Sequence, residues 1–252
     1  MKVCAISDLH GRVWIKDLNI DADILCIAGD FIPLNIQRDI PASKSWFKNK
    51  FIPALQKIDV EEIYIVGGNH DFLCEKDPKF IKDSLLGTNI TYLQDEKAEF
   101  IDDTGSIYTI YGTPWCHRFG NWAFMVDEDT LKEKFSNIPK DLDILITHDP
   151  PTLGKVGTIN QGYNAGYNAG NQELSNAIED TWPRLVISGH IHTGNHDLDE
   201  VHCDSSNGRV RWCTTKFTNV SLLNENYSPV FKPAYFNFDI DHEVKFLETN
   251  NL

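Results

Sequence analysis

Five short apolar runs punctuate the chain: Val3-Cys4-Ala5-Ile6, Ile24-Leu25-Cys26-Ile27, Ile63-Tyr64-Ile65-Val66, Ile144-Leu145-Ile146 and Leu185-Val186-Ile187. Consecutive rather than alternating, and rich in β-branched residues, they predict strands buried on both faces. A polar block follows each run: Asp8-Leu9-His10, Gly29-Asp30, Gly68-Asn69-His70-Asp71, Thr147-His148 and Gly189-His190-Ile191-His192. Chemistry in open α/β sheets gathers beyond the carboxyl ends of the strands, so the pattern predicts imidazoles, carboxylates and an amide delivered to one edge.

The segments between these runs predict a β-α-β alternation in the first half, with a helical stretch over residues 45–58. Pro53 is expected to break or kink that stretch after Phe51. Short β-rich pieces at 90–93, 99–101 and 106–111 read as a second sheet or its edge hairpin. Residues 154–170 are rich in glycine and asparagine and repeat Gly-Tyr-Asn-Ala from Gly162. They predict either a flexible surface loop or a rim over the site. A helix is expected at 172–179, β-structure from Val210 onward, and a closing strand at 244–247.

The 252 residues suffice for one sizeable core, so residues 1–252 are read as a single α/β domain. With 23 Lys and Arg against 37 Asp and Glu, the net charge of −14 repels polyanions. A long nucleic acid is therefore excluded as partner, whereas a small phosphorylated one is not. No apolar stretch reaches membrane-spanning length and the N-terminus enters a candidate ligand directly, which argues against a membrane segment or a signal peptide. Six cysteines without C-x-x-C spacing, two of them inside expected buried strands, fit a reducing cytoplasm.

The candidate chemistry follows from the residue types. Two divalent ions sharing a carboxylate clamp a phosphate during in-line attack and need mixed oxygen and nitrogen donors. Asp8 and His10, two apart in an expected extended segment, suit one ion, and Asp30 is the natural bridge. Asn69, His148 and His190 complete the second ion, and His192 returns to the first. His70 is left over; with neighbouring Asp71 fixing its tautomer, it is the expected general acid. Manganese, iron and zinc all accept this donor set.

Asp-x-His, Gly-Asp, Gly-Asn-His-Asp, a strand-end His and Gly-His-x-His, in this order from Asp8 to His192, resemble the calcineurin-like metallophosphoesterases. The resemblance implies a four-layer αββα sandwich with two mixed sheets. It implies one metal on Asp8, His10, Asp30 and His192 and another on Asp30, Asn69, His148 and His190, with His70 as the phosphate-contacting acid. Gly112-Thr113-Pro114-Trp115, Thr147-His148-Asp149-Pro150-Pro151, Gly189 to Gly194 and the tail from Thr218 to Pro229 resemble a narrower branch. That branch is the metallophosphoesterase-domain group with mammalian brain and bacterial class III cyclic-nucleotide phosphodiesterase relatives. Asp149 stands where the branch has glycine, an extra carboxylate beside the site.

The resulting expectation is a cytoplasmic hydrolase of a small phosphodiester, a cyclic nucleotide among the candidates, using a metal-bridging hydroxide with His70 as acid. The alternatives are a phosphomonoesterase, or a nucleotide-binding regulator that retains the metal site without efficient turnover. His117, His196, His202 and His242 end no apolar run and are expected outside the cluster, His117 and His196 being the better candidates among them. Trp115 is either a core residue or a wall of the pocket, and Cys74 reads as a small buried hydrophobe.

Overall fold

A computed structural model describes residues 1–202, 214–239 and 243–247; Val210, Cys203, Cys213 and His242 lie outside the described residues. The anticipated runs form strands β1 (Lys2–Ile6), β2 (Ile24–Ala28) and β3 (Glu62–Val66), joined by β4 (Ile90–Tyr92) at the edge of the same sheet. These four are parallel. The second sheet takes β5 (Glu96–Ile101) and β6 (Ile107–Thr113), an antiparallel edge hairpin. A two-stranded ribbon of β7 (Cys116–His117) and β8 (Met125–Val126) leads back to it, followed by β9 (Ile144–Thr147) and β10 (Leu185–Ser188), parallel to each other.

The last strands are β11 (Asp199–His202) and β12 (Thr214–Asn219) in the second sheet and β13 (Ala234–Phe238) and β14 (Val244–Leu247) in the first. The sheet orders are β14-β13-β1-β2-β3-β4 and β11-β12-β10-β9-β6-β5. Helices flank both: α1 (Ile40–Trp46), α2 (Ile52–Leu55), α3 (Phe72–Lys76) and α4 (Pro78–Leu85) on the first, and α5 (Glu128–Phe135) and α6 (Gln172–Thr181) on the second.

Strand residues alternate between cores because successive side chains point to opposite faces. Val3, Ala5, Ile24, Cys26, Ala28, Tyr64 and Val66 meet Ile110, Ile144, Ile146, Leu185 and Ile187 between the sheets. Their neighbours Cys4, Ile6, Leu25, Ile27, Ile63 and Ile65 pack outward against Phe47, Phe51, Leu55 and Ile81 of the first helical layer. Leu145 and Val186 do the same against Leu131, Phe135, Leu174 and Ile178. The result is the αββα sandwich, and both faces of each central strand are dry, which is why the runs are continuously apolar.

Three expectations are corrected. The helical stretch begins earlier, where Asp39 caps the Ala42 amide. A π-helical turn at Phe47–Phe51 widens the backbone and pairs the Ile52 amide with the Phe47 carbonyl, so the proline ring is accommodated at the start of α2. The piece at Ile90 belongs to the first sheet rather than the second. Asp8 and His10 are not extended: both adopt left-handed backbone, with φ of 58° and 42°.

Cys4, Cys26, Cys74 and Cys116 are buried free thiols; Cys74 lies in the first core, and burial pushes the Cys4 thiol up to about 12. No helix among the described residues is long and apolar enough to cross a membrane. Ile187 is completely buried between the sheets. Ile187→Ala is expected to lower the unfolding free energy by about 2–5 kcal/mol, because the midlayer is clamped from both sides and collapses poorly into the cavity. Urea unfolding with an unchanged slope is the check.

Candidate metal centre

The loops beyond β1, β2, β3, β9 and β10 converge at one end of the sandwich. Asp8, Asp30 and His190 adopt left-handed φ of 58°, 56° and 68°, as does His10, so four functional candidates sit in a sparsely populated conformation. Such strain persists where the surroundings over-determine it, and it is common at functional sites. Two glycines permit the crowding. A Cβ on Gly68 would overlap the Asp30 carboxylate and lie 2.5 Å from its amide; one on Gly189 would collide with Ser7 and Asp8.

Asp30 is 2% exposed and central, with Oδ2 at 3.4 Å from His148 Nε2, 3.7 Å from His10 Nε2 and 3.9 Å from His70 Nε2. Its Oδ1 accepts from the His70 amide at 2.8 Å. Burial opposes its charge, yet His148 and the neighbouring imidazoles hold its carboxyl well below the usual range. Asp8 Oδ1 meets His192 Nε2 at 3.2 Å, and Asp8 Oδ2 accepts from the His190 amide at 3.1 Å. His148 donates Nδ1–H to the Ala28 carbonyl at 2.8 Å, which turns Nε2 toward Asn69 Oδ1 at 2.9 Å. His192 Nδ1 likewise donates to the Asn224 carbonyl at 3.0 Å. Backbone partners at Nδ1 orient both imidazoles so that Nε2 faces inward.

Donor atoms of Asp8, His10 and His192 lie within 4.8 Å of one another, as do those of His10, Asp30 and His70, and of Asp8, Asp30 and His148. Both ring nitrogens of buried His10 lack a hydrogen-bond partner among the described residues. A buried imidazole without a partner is costly, and a cation that His10 would hold together with Asp8 and Asp30 would remove that cost. Burial lowers the pKa of His10 to about 4; burial, reinforced by the charge of His148, does the same for His190. Both rings are therefore neutral and free to act as nitrogen ligands near neutral pH. His190 lies 5.0 Å from His148, ring centre to ring centre. All seven residues anticipated as ligands are thus brought to one end of the sheets, as is His70.

Asp71 is a correction. It does not touch His70; its carboxylate accepts from the backbone amides of Asp30 (2.8 Å), Ile32 (2.9 Å) and Gly68 (2.8 Å). Burial and the Asp30 charge push its pKa up to about 7, against amides that favour the ionised form. Asp71 therefore shapes the Asp30 loop. The partner of His70 is Gln37, whose Oε1 accepts from Nδ1 at 2.5 Å. No motif marked Gln37, which comes from a loop 33 residues upstream.

A cleft of about 400 Å³ opens over the cluster, lined by Asp30, Asn69, His70, His190 and His192 together with Phe119, Trp122, Ile159, Glu225 and Tyr227. Tyr227 packs edge-on to His10 at 5.0 Å. Trp115 does not line it: its indole N–H donates to Asp95, and its ring packs against Phe124. The aromatic wall comes instead from Phe119 and Trp122, whose only sequence signal is the density of aromatic residues between Trp115 and Trp122. The Gly/Asn-rich segment is a rim: Thr158 and Asn168 form an antiparallel bridge, Asn160 donates to the Thr193 carbonyl, and Ile159 enters the cleft. His196 stacks on Phe231, and exposed His202 pairs with Thr214.

Asp149, fully buried, accepts from the His117 amide (2.9 Å), His117 Nδ1 (2.7 Å) and Asn171 Nδ2 (3.1 Å). It ties the loop after β9 to the aromatic wall and to the N-cap of α6.

The first 194 residues match the family described as Calcineurin-like phosphoesterase, and the chain belongs to that family. The buried carboxylates and imidazoles gathered here are a donor set that fits divalent metal ions. A UPF0046 protein of Caenorhabditis elegans is 28% identical over 96% of this chain. Human metallophosphoesterase domain-containing protein 1 is 29% identical over 92% of it. The chain spans 61% and 68% of those two proteins. One solved structure superposes over 99% of both chains with a TM-score of 0.66 and 17% identity. A dimetal phosphatase from Danio rerio shares the fold over 94% of this chain and 92% of its own, with a TM-score of 0.50 and 12% identity.

The His117–Asp149 pair sets a pH window for stability. The hydrogen bond to Asp149 raises the His117 pKa, so its contribution is complete below about 6.5, the unfolded value, and fades as pH climbs through the raised one. Burial pushes Asp149 up, but His117 holds it below its ordinary value, so its contribution is present above about 3.9 and is lost as pH falls through the lowered value. The stability difference between the metal-free protein and Asp149→Asn is expected to be largest between about pH 4 and 6.5. Urea titrations across pH 3–9 measure it; a flat difference would exclude the pairing.

Proposed function

We propose that the chain hydrolyses a small phosphodiester at a dinuclear centre, with His70 as general acid. The observation that carries the diester preference is the cleft itself: no lysine or arginine is among its described lining residues, and Glu225 adds a negative charge at its rim. A monoester dianion presents a second charge that no lysine or arginine among the described lining residues would meet, whereas a diester presents one. The net charge of −14 favours the same choice.

Asp8, His10, Asp30 and His192 would hold one ion and Asp30, Asn69, His148 and His190 the other, a mixed oxygen and nitrogen set that manganese, iron and zinc all accept. When bound, the two ions supply the nucleophile and offset charge developing on the phosphoryl oxygens. His70 lies beside the cluster with Nδ1–H held by Gln37, which leaves Nε2 facing the cleft to pass a proton to the departing oxygen. Trp122, 4.6 Å from the His70 ring, limits the water around that proton. Gln37 fixes which nitrogen does the work.

Turnover of bis-p-nitrophenyl phosphate beside p-nitrophenyl phosphate, after stripping and separate reloading with manganese, zinc and iron, tests the reading. Metal-dependent cleavage that favours the diester is expected. Inactivity with two ions bound would instead support a nucleotide-binding role.

His70→Ala is expected to slow diesters with poor leaving groups by about 10²–10⁴-fold and nitrophenyl esters far less, because an activated phenolate needs little protonation. Equal losses on both would assign His70 to phosphate binding. Asp30→Asn is expected to reduce metal occupancy from two ions toward one or none, counted by elemental analysis after gel filtration. Retention of both ions would remove Asp30 from the bridge.

A further inference from the structure

We infer that the Phe119–Trp122 rim selects diesters carrying a planar aromatic group, with the aryl face against these two rings and the phosphate over the cluster. This deepens the phosphodiesterase reading and rests on it. Both rings border the cleft: Trp122 packs 4.6 Å from His70, and Phe119 lies 5.3 Å from His190. A group leaving toward His70 therefore departs past the indole.

Phe119 is 54% exposed although it borders the cleft, and apolar surface at the mouth of a polar site is what a partly apolar ligand covers. Ile159 faces the same space from the opposing hairpin, so the wall continues beyond the aromatic rings. Glu225 stands on the rim, and a substituent bearing a second anion is disfavoured there.

The rim is pinned before any ligand arrives. Asp149 holds its start through the amide and imidazole of His117. The Ala123 amide donates to the Asn69 carbonyl at 3.0 Å, and the Phe124 amide to Glu75 at 2.8 Å, which hold its end. Between them Arg38 donates to the Asn121 carbonyl at 2.6 Å and lies over the rings of Phe72 and Trp122. A loop fixed at both ends and in the middle presents its rings without an ordering cost at binding, which is the condition for aromatic contacts to appear as affinity. Each offset-stacked or edge-on ring contact corresponds to a roughly 2- to 13-fold gain over area burial alone.

Equilibrium binding of diphenyl phosphate and dicyclohexyl phosphate to manganese-loaded protein, followed by calorimetry, is the test. The esters carry the same charge and six-membered rings, but only one offers planar faces. Diphenyl phosphate is expected to bind about tenfold more tightly, and Phe119→Ala, at an exposed position that does not threaten folding, should cut that ratio severalfold. Trp122→Leu, which keeps an apolar body in the partly buried position, should cut it further, and Trp122→Phe should restore most of it. Equal affinity for the two esters, or a ratio untouched by either truncation, overturns the inference while diester cleavage stands. Failure of both esters to bind, with p-nitrophenyl phosphate still hydrolysed, overturns the diester reading and this inference with it.

Discussion

The carboxylate of Asp30 is the group on which the rest of the site depends. It sits almost fully buried at the end of a parallel strand, ringed by three imidazoles, and a lone charge in that position would be untenable. Every neighbouring feature answers this burden. Asp71 gathers the amides that set the Asp30 loop, and a glycine at 68 lets the two loops touch. His148 is turned toward Asp30 by its bond to the Ala28 carbonyl. Divalent ions would complete the compensation that imidazoles alone supply in part.

The αββα architecture makes such a convergence possible. Two sheets packed face to face bring the carboxyl ends of β1, β2 and β3 against those of β9 and β10, so residues up to 184 positions apart, such as Asp8 and His192, come within bonding distance. The helical layers bury the outer faces of the strands and hold the frame rigid. Left-handed backbone at Asp8, His10, Asp30 and His190 then aims side chains that a straight strand would misdirect. The strain is borne by a core with dry strands on every side.

Membership in the calcineurin-like phosphoesterases fits the mixed oxygen and nitrogen donor set, and the rim above that set is held by contacts of its own. Asp149 joins the loop after His148 to an aromatic wall and to the cap of α6. The hairpin between residues 154 and 170 forms the facing side through Ile159.

Much was legible in the residues alone. Continuous β-branched runs are apolar because both faces are buried, and each ended at a candidate ligand, so the strands, their shared edge and the cluster of imidazoles and carboxylates gathered there could be read from local pattern and order. The partner of His70 could not. Adjacency suggested Asp71, but the chain turns there, and the carboxylate faces backbone amides while Gln37 arrives from a separate loop. Trp115 and Trp122 look alike in sequence; the first is drawn to Asp95 and only the second reaches the cleft. Pro53 suggested a break or kink after Phe51, and the form it takes, a π-helical turn ending there, was not legible. Sequence determines which residues end the buried strands, because burial and strand length are local properties; tertiary structure alone decides which of those residues meet, because loop trajectories depend on packing between segments far apart in the chain.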